Sequence, residues 1–154
     1  MDAVWEMQTY ALQHNLTPFI SMQNHYNLLY REEEREMMPT LRHFSVGSIP
    51  WSPLARGCLT RPQGIGSDRQ SKDKLIAMLY SDDDKPSQAI VAVVEKVAQA
   101  HDATMAQVAL AWLLSKDPVS APIVGTTNIK NLDDLVGETI EQPWWQTALT
   151  DPFS

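Results

Sequence analysis

The sequence predicts an α/β protein built on a parallel sheet. Three short apolar segments have the pattern of buried strands, and they alternate with longer segments whose apolar residues recur at helical spacing. Strands that alternate with helices form parallel sheets, because right-handed crossovers return the chain to the same end of the sheet. The predicted order is helix, strand, helix, strand, a long loop, two helices, strand and helix.

The first half of the chain is predicted to contain two helices and two strands. Each strand is a short apolar run bounded by turn residues. Pro39 falls inside the second helix and predicts a kink or a break, because proline cannot donate the amide hydrogen bond of a helix interior. These elements are a helix over 2–14 capped by Asp2, a strand over 19–23, a helix over 31–44 with acidic residues in its first turn, and a strand over 46–50.

The second half begins with a long irregular segment over 57–86. It is rich in glycine, proline and aspartate, which predicts a mobile loop over a site. Two helices follow, and a hydroxyl residue suited to capping precedes each of them. The remaining predicted elements are a helix over 88–99 capped by Ser87, a helix over 105–114 capped by Thr104 with an apolar stripe, a strand over 121–124, a helix from Asn128 to about Val136 and a weakly ordered tail over 142–154.

Composition excludes several classes of protein. The chain has 154 residues, 44% of them hydrophobic, which is enough for one domain with a core. A net charge of −7 argues against a nucleic-acid footprint, and no apolar run is long enough for a membrane span. The N-terminus lacks the pattern of a signal peptide, and the single cysteine, Cys58, fits a reducing compartment. We therefore expect a cytoplasmic protein.

The second predicted strand ends abruptly in Trp51-Ser52-Pro53, followed by Gly57. A buried parallel strand ends in this way when the mouth of the sheet at its carboxyl end carries a site. From the pattern alone, Trp51 fits either a core aromatic residue or a ligand contact. Gln23, at the end of the first strand, fits either a buried amide with satisfied hydrogen bonds or a ligand contact.

The third predicted strand runs into Gly125-Thr126-Thr127-Asn128 and then a helix. Glycine allows a ligand to approach the backbone, hydroxyl groups donate hydrogen bonds, and a helix start offers free N–H groups to an anion. Lys130 would add a cation. The same residues also fit an ordinary helix cap, and spacing alone leaves both interpretations open.

The histidines show no metal-ligand spacing, and no other motif predicts a metal site. Cys58 has no evident base beside it, which predicts an unreactive thiol.

Two stretches, Ser21–Met37 and Ile49–Gly57, closely resemble aldo-keto reductases, in particular fungal aryl-alcohol dehydrogenases and secondary-metabolite reductases. The likeness runs from about Val4 to about Val136. It implies the C-terminal part of a (β/α)8 TIM barrel, with about three parallel strands and five helices in one incomplete domain over 1–154. A complete barrel needs about 250 residues, and three strands leave open edges that invite self-association.

The resemblance also implies a cofactor site for NADP(H). It places Gln23 on the nicotinamide carboxamide and Trp51 against the nicotinamide ring. The turn after Trp51 would wrap the pyrophosphate, and the segment from Gly125 would receive the 2′-phosphate. Many family members have an arginine where Asn131 falls, so Lys130 is the nearby cation here. The cofactor residues implied are Gln23, Trp51, Ser52, Pro53, Leu54, Gly57, Gly125, Thr126, Thr127, Lys130 and Asn131.

The family reduces aldehydes or ketones with a Tyr that is tuned by a Lys and supported by Asp and His. The Asp lies five residues before the Tyr, and no tyrosine here has an aspartate at that position. No residue of this chain therefore matches the catalytic set, and we expect a truncated reductase that is inactive alone. The expected partner is a small carbonyl or alcohol substrate. Alternatives are a non-catalytic module that binds cofactor or a protein partner, and a half-barrel that pairs with itself or with a separate first half.

Overall fold

The computed structural model describes residues 3–64, 79–80 and 84–141, and side chains as far as residue 136. Five α-helices and a small parallel sheet are found in these residues, which confirms the α/β prediction and fits part of a barrel. Two short 3-10 helices, Glu32–Glu34 and Ala55–Gly57, follow the strands. The main elements are α1 (Ala3–Gln13), β1 (Ser21–Met22), α2 (Met37–Phe44), β2 (Gly47–Ser48), α3 (Lys85–Ala100), α4 (Met105–Leu114) and α5 (Ile129–Glu141).

β1 and β2 pair in parallel, with Ser21 opposite Gly47. A third segment joins β2 through two isolated parallel bridges, from Ser48 to Val119 and from Trp51 to Ile123. The three-residue step from Ser48 to Trp51 thus opposes a four-residue step from Val119 to Ile123, so the third segment carries a bulge. The strand predicted over 121–124 is therefore present only as these bridges, and its pairing begins earlier than predicted.

Gly47 allows the third segment to approach β2 closely. A Cβ atom at Gly47 would lie 2.6 Å from Ser120 Oγ, closer than such atoms approach in real structures. Next to it, Ser120 N donates a hydrogen bond of 2.8 Å to Ser48 O. The missing side chain at Gly47 thus allows β2 and the third segment to pair at close distance.

The helix predicted over 31–44 is divided in two. A 3-10 turn holds the acidic residues at Glu32–Glu34, and α2 begins only at Met37. The break therefore precedes Pro39, which occupies the first turn of α2. Amide groups of a first turn have no partner within the helix, so a proline there costs little.

The helices after the loop correct one further prediction and extend another. α3 begins at Lys85 with Asp84 as its cap residue, while Ser87 lies inside the helix and donates a 2.5 Å hydrogen bond to Asp84. α4 has its predicted bounds, and Thr104 Oγ1 accepts a hydrogen bond of 3.2 Å from Gln107 N. The predicted apolar stripe of α4 is buried, and burial extends beyond it to every residue from Met105 to Leu113. The remainder of the loop over 57–86, the tail over 142–154 and the cap Asp2 lie outside the described residues.

The core lies between the sheet and helices α2, α3 and α4. Trp112 of α4 is fully buried, and its ring centroid lies 5.5 Å from that of Tyr26. The cationic groups of Arg31 and Lys116 lie over the same indole, at 5.3 and 4.8 Å from its centroid. Burial of a large apolar side chain is worth about 1.5–3 kcal/mol, so this cluster fixes the helices beneath the carboxyl ends of the strands.

α1 is attached through Trp5, whose ring centroid lies 4.6 Å from that of His43 and 4.8 Å from that of Phe44, and through Gln8. Gln8 Nε2 donates to Phe19 O at 3.0 Å, and Phe19 N donates to Gln8 Oε1 at 2.7 Å. Helical spacing of the apolar residues places Met7 and Leu12 on one face of this helix, but they are 48% and 55% exposed. Only Gln8 and Ala11 of this helix are buried, so its predicted apolar stripe was wrong.

Candidate functional site

Three parallel segments of the described chain end together at Trp51. Its backbone is bridged to His25 on one side and to Ile123 on the other. Trp51 N donates to Asn24 O at 2.9 Å, and Ile123 N donates to Pro50 O at 2.8 Å. In parallel α/β folds, ligands bind at the carboxyl ends of the strands. The sequence-predicted residues Gln23, Trp51 and Gly125 thus belong to one edge of the sheet.

The chain after Trp51 forms a tight turn in the left-handed region of the backbone map. Ser52, Ala55 and Arg56 have φ values of 53°, 47° and 54°. Such values are uncommon for residues with side chains and persist where the surroundings hold them. Gly57 follows at φ 103°, a conformation that explains its identity as glycine.

Two residues of this turn pack inward. Pro53 is buried, and Leu54 packs against Ala106, Leu110 and Leu135 of α4 and α5. The Leu54 side chain therefore joins the turn to the helices. A cofactor role for Pro53 and Leu54 stays a prediction.

The ring of His25 lies between two other aromatic rings. Its centroid is 4.2 Å from that of Tyr30, with an interplanar angle of 13°, and 4.1 Å from that of Trp51, with an angle of 15°. His25 is 9% exposed, whereas Trp51 is half-buried. Trp51, one of the two outer rings of this three-ring stack, is the ring predicted to meet a ligand.

Hydrogen bonds fix the middle ring of the stack. The Tyr80 hydroxyl lies 2.5 Å from His25 Nε2. Asn27 Nδ2 donates to Tyr80 Oη at 2.9 Å and to Ser52 O at 2.9 Å. Burial lowers the pKa of His25 below its ordinary 6.5, and burial raises the pKa of Tyr80 to about 12. A neutral imidazole that accepts from a protonated phenol satisfies this arrangement.

The segment from Gly125 to Asn131 is exposed. Asn128 Oδ1 accepts from Lys130 N at 3.1 Å, and Thr126 Oγ1 accepts from Asn128 N at 3.1 Å. These bonds confirm a cap at the start of α5. A Cβ atom at Gly125 would meet nothing within 4 Å. The exposed hydroxyls, Lys130 and the helix start are chemically suited to a phosphate group.

Sequence reasoning identified the strand ends but missed His25, Asn27, Tyr30 and Tyr80. Tyr30 lies close to His25 in the sequence, and aromatic residues directly after a strand could have indicated a ring cluster at the strand end. Tyr80 is 55 residues from His25, and no local pattern connects them. Gln23 is exposed at the end of β1, on the same edge as the stack.

Within the part of the chain that the structure describes, no three His, Cys, Asp or Glu side chains are grouped to hold a metal ion. Among the same residues, no helix is long and apolar enough to cross a membrane.

Comparison with known proteins identifies the family of this chain. The model of the aldo/keto reductase family matches residues 2–141. The match covers most of the chain, so the protein belongs to the aldo-keto reductase family.

Its curated relatives are fungal enzymes. Over 139 residues the chain is 43% identical to versiconal hemiacetal acetate reductase of Aspergillus parasiticus, covering 87% of this chain and 40% of that protein. Over 132 residues it is 45% identical to a putative aryl-alcohol dehydrogenase of Schizosaccharomyces pombe, covering 84% of this chain and 39% of that protein. An aldo-keto reductase of Metarhizium robertsii is 42% identical over 140 residues, and the match covers 86% of this chain and 37% of that protein. The chain thus spans about two fifths of the length of these relatives.

Proposed function

We propose that this chain provides the cofactor-holding part of an NAD(P)H-dependent oxidoreductase that interconverts an aldehyde or ketone with an alcohol. The observation that carries the proposal is the meeting of three strand ends at Trp51. Family membership supports it, and the names of the relatives point to carbonyl and aryl-alcohol substrates. We extend this proposal to substrates of secondary metabolism.

The residues at this edge fit an NADP(H) molecule in their chemistry. Gln23 and the half-buried ring of Trp51 would hold the nicotinamide end, and the turn from Ser52 to Gly57 would hold the pyrophosphate. Gly125, Thr126, Thr127, Lys130 and Asn131 would hold the 2′-phosphate. Gly125 supports this assignment because a Cβ atom there would meet no atom of the described residues within 4 Å. Close approach of a ligand would account for a glycine that packing against these residues does not require.

When bound, the cofactor supplies the hydride of the reaction. The chain's own contribution is to orient and hold it: Trp51 presents a fixed ring face, and Gln23 presents an amide that donates and accepts. Tyr80 does not supply the proton in this proposal, because its hydroxyl has a pKa raised to about 12 and is engaged with His25. We propose that these 154 residues alone bind the cofactor without reducing a carbonyl.

The first test compares NADPH and NADH, which differ only in the 2′-phosphate. Calorimetric titration of the purified chain is expected to show binding of NADPH. Lys130→Ala is expected to weaken NADPH binding by about 2- to 5-fold, as for an exposed ion pair, and to leave NADH binding unchanged. The matched control is Lys96→Ala, which removes an exposed lysine from α3. Absence of NADPH binding at millimolar concentration would refute the proposed function.

A second measurement addresses activity. The purified chain is mixed with NADPH and an aromatic aldehyde, and absorbance of the reduced nicotinamide is followed. We expect no oxidation of NADPH above the rate without protein. Aldehyde-dependent turnover would show that the chain contains its own proton donor.

We also propose that the open side of β1 pairs with another chain. Among the described residues β1 pairs only with β2, and the adjoining Phe19 and Ile20 are 53% and 82% exposed. Unpaired strand edges beside apolar residues favour association. Light scattering is expected to give a mass above that of the monomer and a lower mass for Ile20→Lys. A strict monomer in the unmodified chain would contradict this proposal.

A further inference from the structure

We propose that His25 is a positioning residue for the nicotinamide end of the cofactor site, because it fixes the plane of the Trp51 ring. The proposal rests on the proposed function, in which that ring meets the nicotinamide. It assigns His25 no direct contact with the substrate or the cofactor. Its action passes through the stacked rings.

The stack constrains the ring that faces the site. Trp51 is half-buried, so contacts with the core alone do not enclose its indole. The imidazole of His25 covers one face of the indole at 4.1 Å and lies within 15° of parallel. Tyr30 covers the other face of the imidazole at 4.2 Å, so the His25 ring is packed on both faces. A ring fixed before a ligand arrives lowers the entropy that binding must remove.

Polar contacts connect the same ring to the loop over 57–86. Tyr80 is 5% exposed and places its hydroxyl 2.5 Å from His25 Nε2. Asn27 contacts the Tyr80 hydroxyl and also donates to Ser52 O, which belongs to the residue directly after Trp51. The tryptophan is therefore held through its ring by His25 and through its backbone by Asn27.

A histidine meets both demands of this position. The ring must be flat and small enough to lie between Tyr30 and Trp51, and it must accept a hydrogen bond at its edge. Phenylalanine would retain the stack and lose the acceptor, while asparagine would retain polarity and lose the ring. These two replacements separate the stacking from the hydrogen bond.

The test uses two ligands that differ by the nicotinamide end. NADPH would occupy the whole edge, whereas adenosine 2′,5′-bisphosphate reaches only the phosphate end near Gly125. Affinities are measured by calorimetric titration for the unmodified chain, His25→Asn and His25→Phe. The matched control is His14→Asn, because His14 also stacks on a ring, that of Tyr10, but on the surface of α1.

We expect His25→Asn to lose about 2- to 10-fold in NADPH affinity, the range that corresponds to one aromatic pair. Its affinity for adenosine 2′,5′-bisphosphate should be unchanged. His25→Phe should recover most of the NADPH affinity, because it restores the stack. His14→Asn should match the unmodified chain with both ligands.

Three results would overturn the inference while leaving the proposed function in place. They are unchanged NADPH affinity in His25→Asn, an equal loss for both ligands in that variant, and a loss in His25→Phe as large as in His25→Asn. An equal loss for both ligands would mean that His25 supports the fold in general. An equal loss in His25→Phe and His25→Asn would mean that stacking of the His25 ring contributes nothing to NADPH affinity. An unmodified chain that binds neither ligand would instead refute the proposed function and, with it, this inference.

Discussion

Replacing Asn27 with alanine removes four hydrogen bonds of 3.0 Å or shorter, together with a longer contact of 3.2 Å to His25 Nε2. Asn27 Oδ1 accepts from Leu29 N at 2.9 Å and from Tyr30 N at 3.0 Å. Asn27 Nδ2 donates to Ser52 O and to Tyr80 Oη, each at 2.9 Å. Asn27 is fully buried, so water does not readily replace these bonds. At about 1 kcal/mol for each bond, we expect the free energy of unfolding to fall by about 4 kcal/mol.

Urea denaturation followed by circular dichroism measures this loss. Tyr80→Phe removes only the hydroxyl shared by Asn27 and His25, and it should cost about 2 kcal/mol. The control is Asn131→Ala, which lies on the surface and should change stability by less than about 0.5 kcal/mol. If Asn27→Ala costs less than about 1 kcal/mol, then the network does not stabilise the edge and the reasoning is refuted.

Three further predictions concern stability. Thr104→Ala removes the capping box of α4 and should cost about 1 kcal/mol in urea denaturation; an unchanged midpoint would contradict the cap's contribution. Burial lowers the pKa of His25 in the folded state, so stability should fall as pH drops below 6.5, and His25→Phe should reduce this slope; an equal slope in both proteins would contradict the assignment. Gly47→Ala should cost about 1–3 kcal/mol through the clash with Ser120 Oγ, and adding Ser120→Ala should recover most of it; additive costs would argue against the clash.

Local signals predicted the elements whose formation depends on neighbours in the sequence. Thr104 and Gln107 lie three residues apart and form a reciprocal cap, so the bounds of α4 were correct. Asn128 caps α5 through its side chain alone, which accepts from Lys130 N two residues further on. The cap of α3 was misplaced because Ser87 and Asp84 are both good capping residues, and periodicity does not choose between them.

Features that depend on distant residues were not predictable from local patterns. α4 is buried on every side because α3, α5 and core side chains such as Tyr26 pack around it, whereas periodicity describes a helix with one buried face. The break before Met37 separates an acidic 3-10 turn from a helix, although the combined sequence reads as one helix. The stack on His25 needs Trp51, which follows β2, and the hydrogen bond to His25 needs Tyr80 from the loop; sequence spacing predicts neither contact.

The attachment of α1 through Gln8 has a consequence for the order in which the chain opens. Two hydrogen bonds to Phe19 and the ring contacts of Trp5 with α2 orient this helix, but little of its apolar surface is removed from solvent, since only Gln8 and Ala11 are buried. Segments with few buried apolar contacts open at lower free energy than the core and exchange their amide hydrogens sooner. Amide groups of α1 will therefore exchange with solvent well before those of α4. The N-terminal helix can detach and return while the strand ends around Trp51 keep their arrangement.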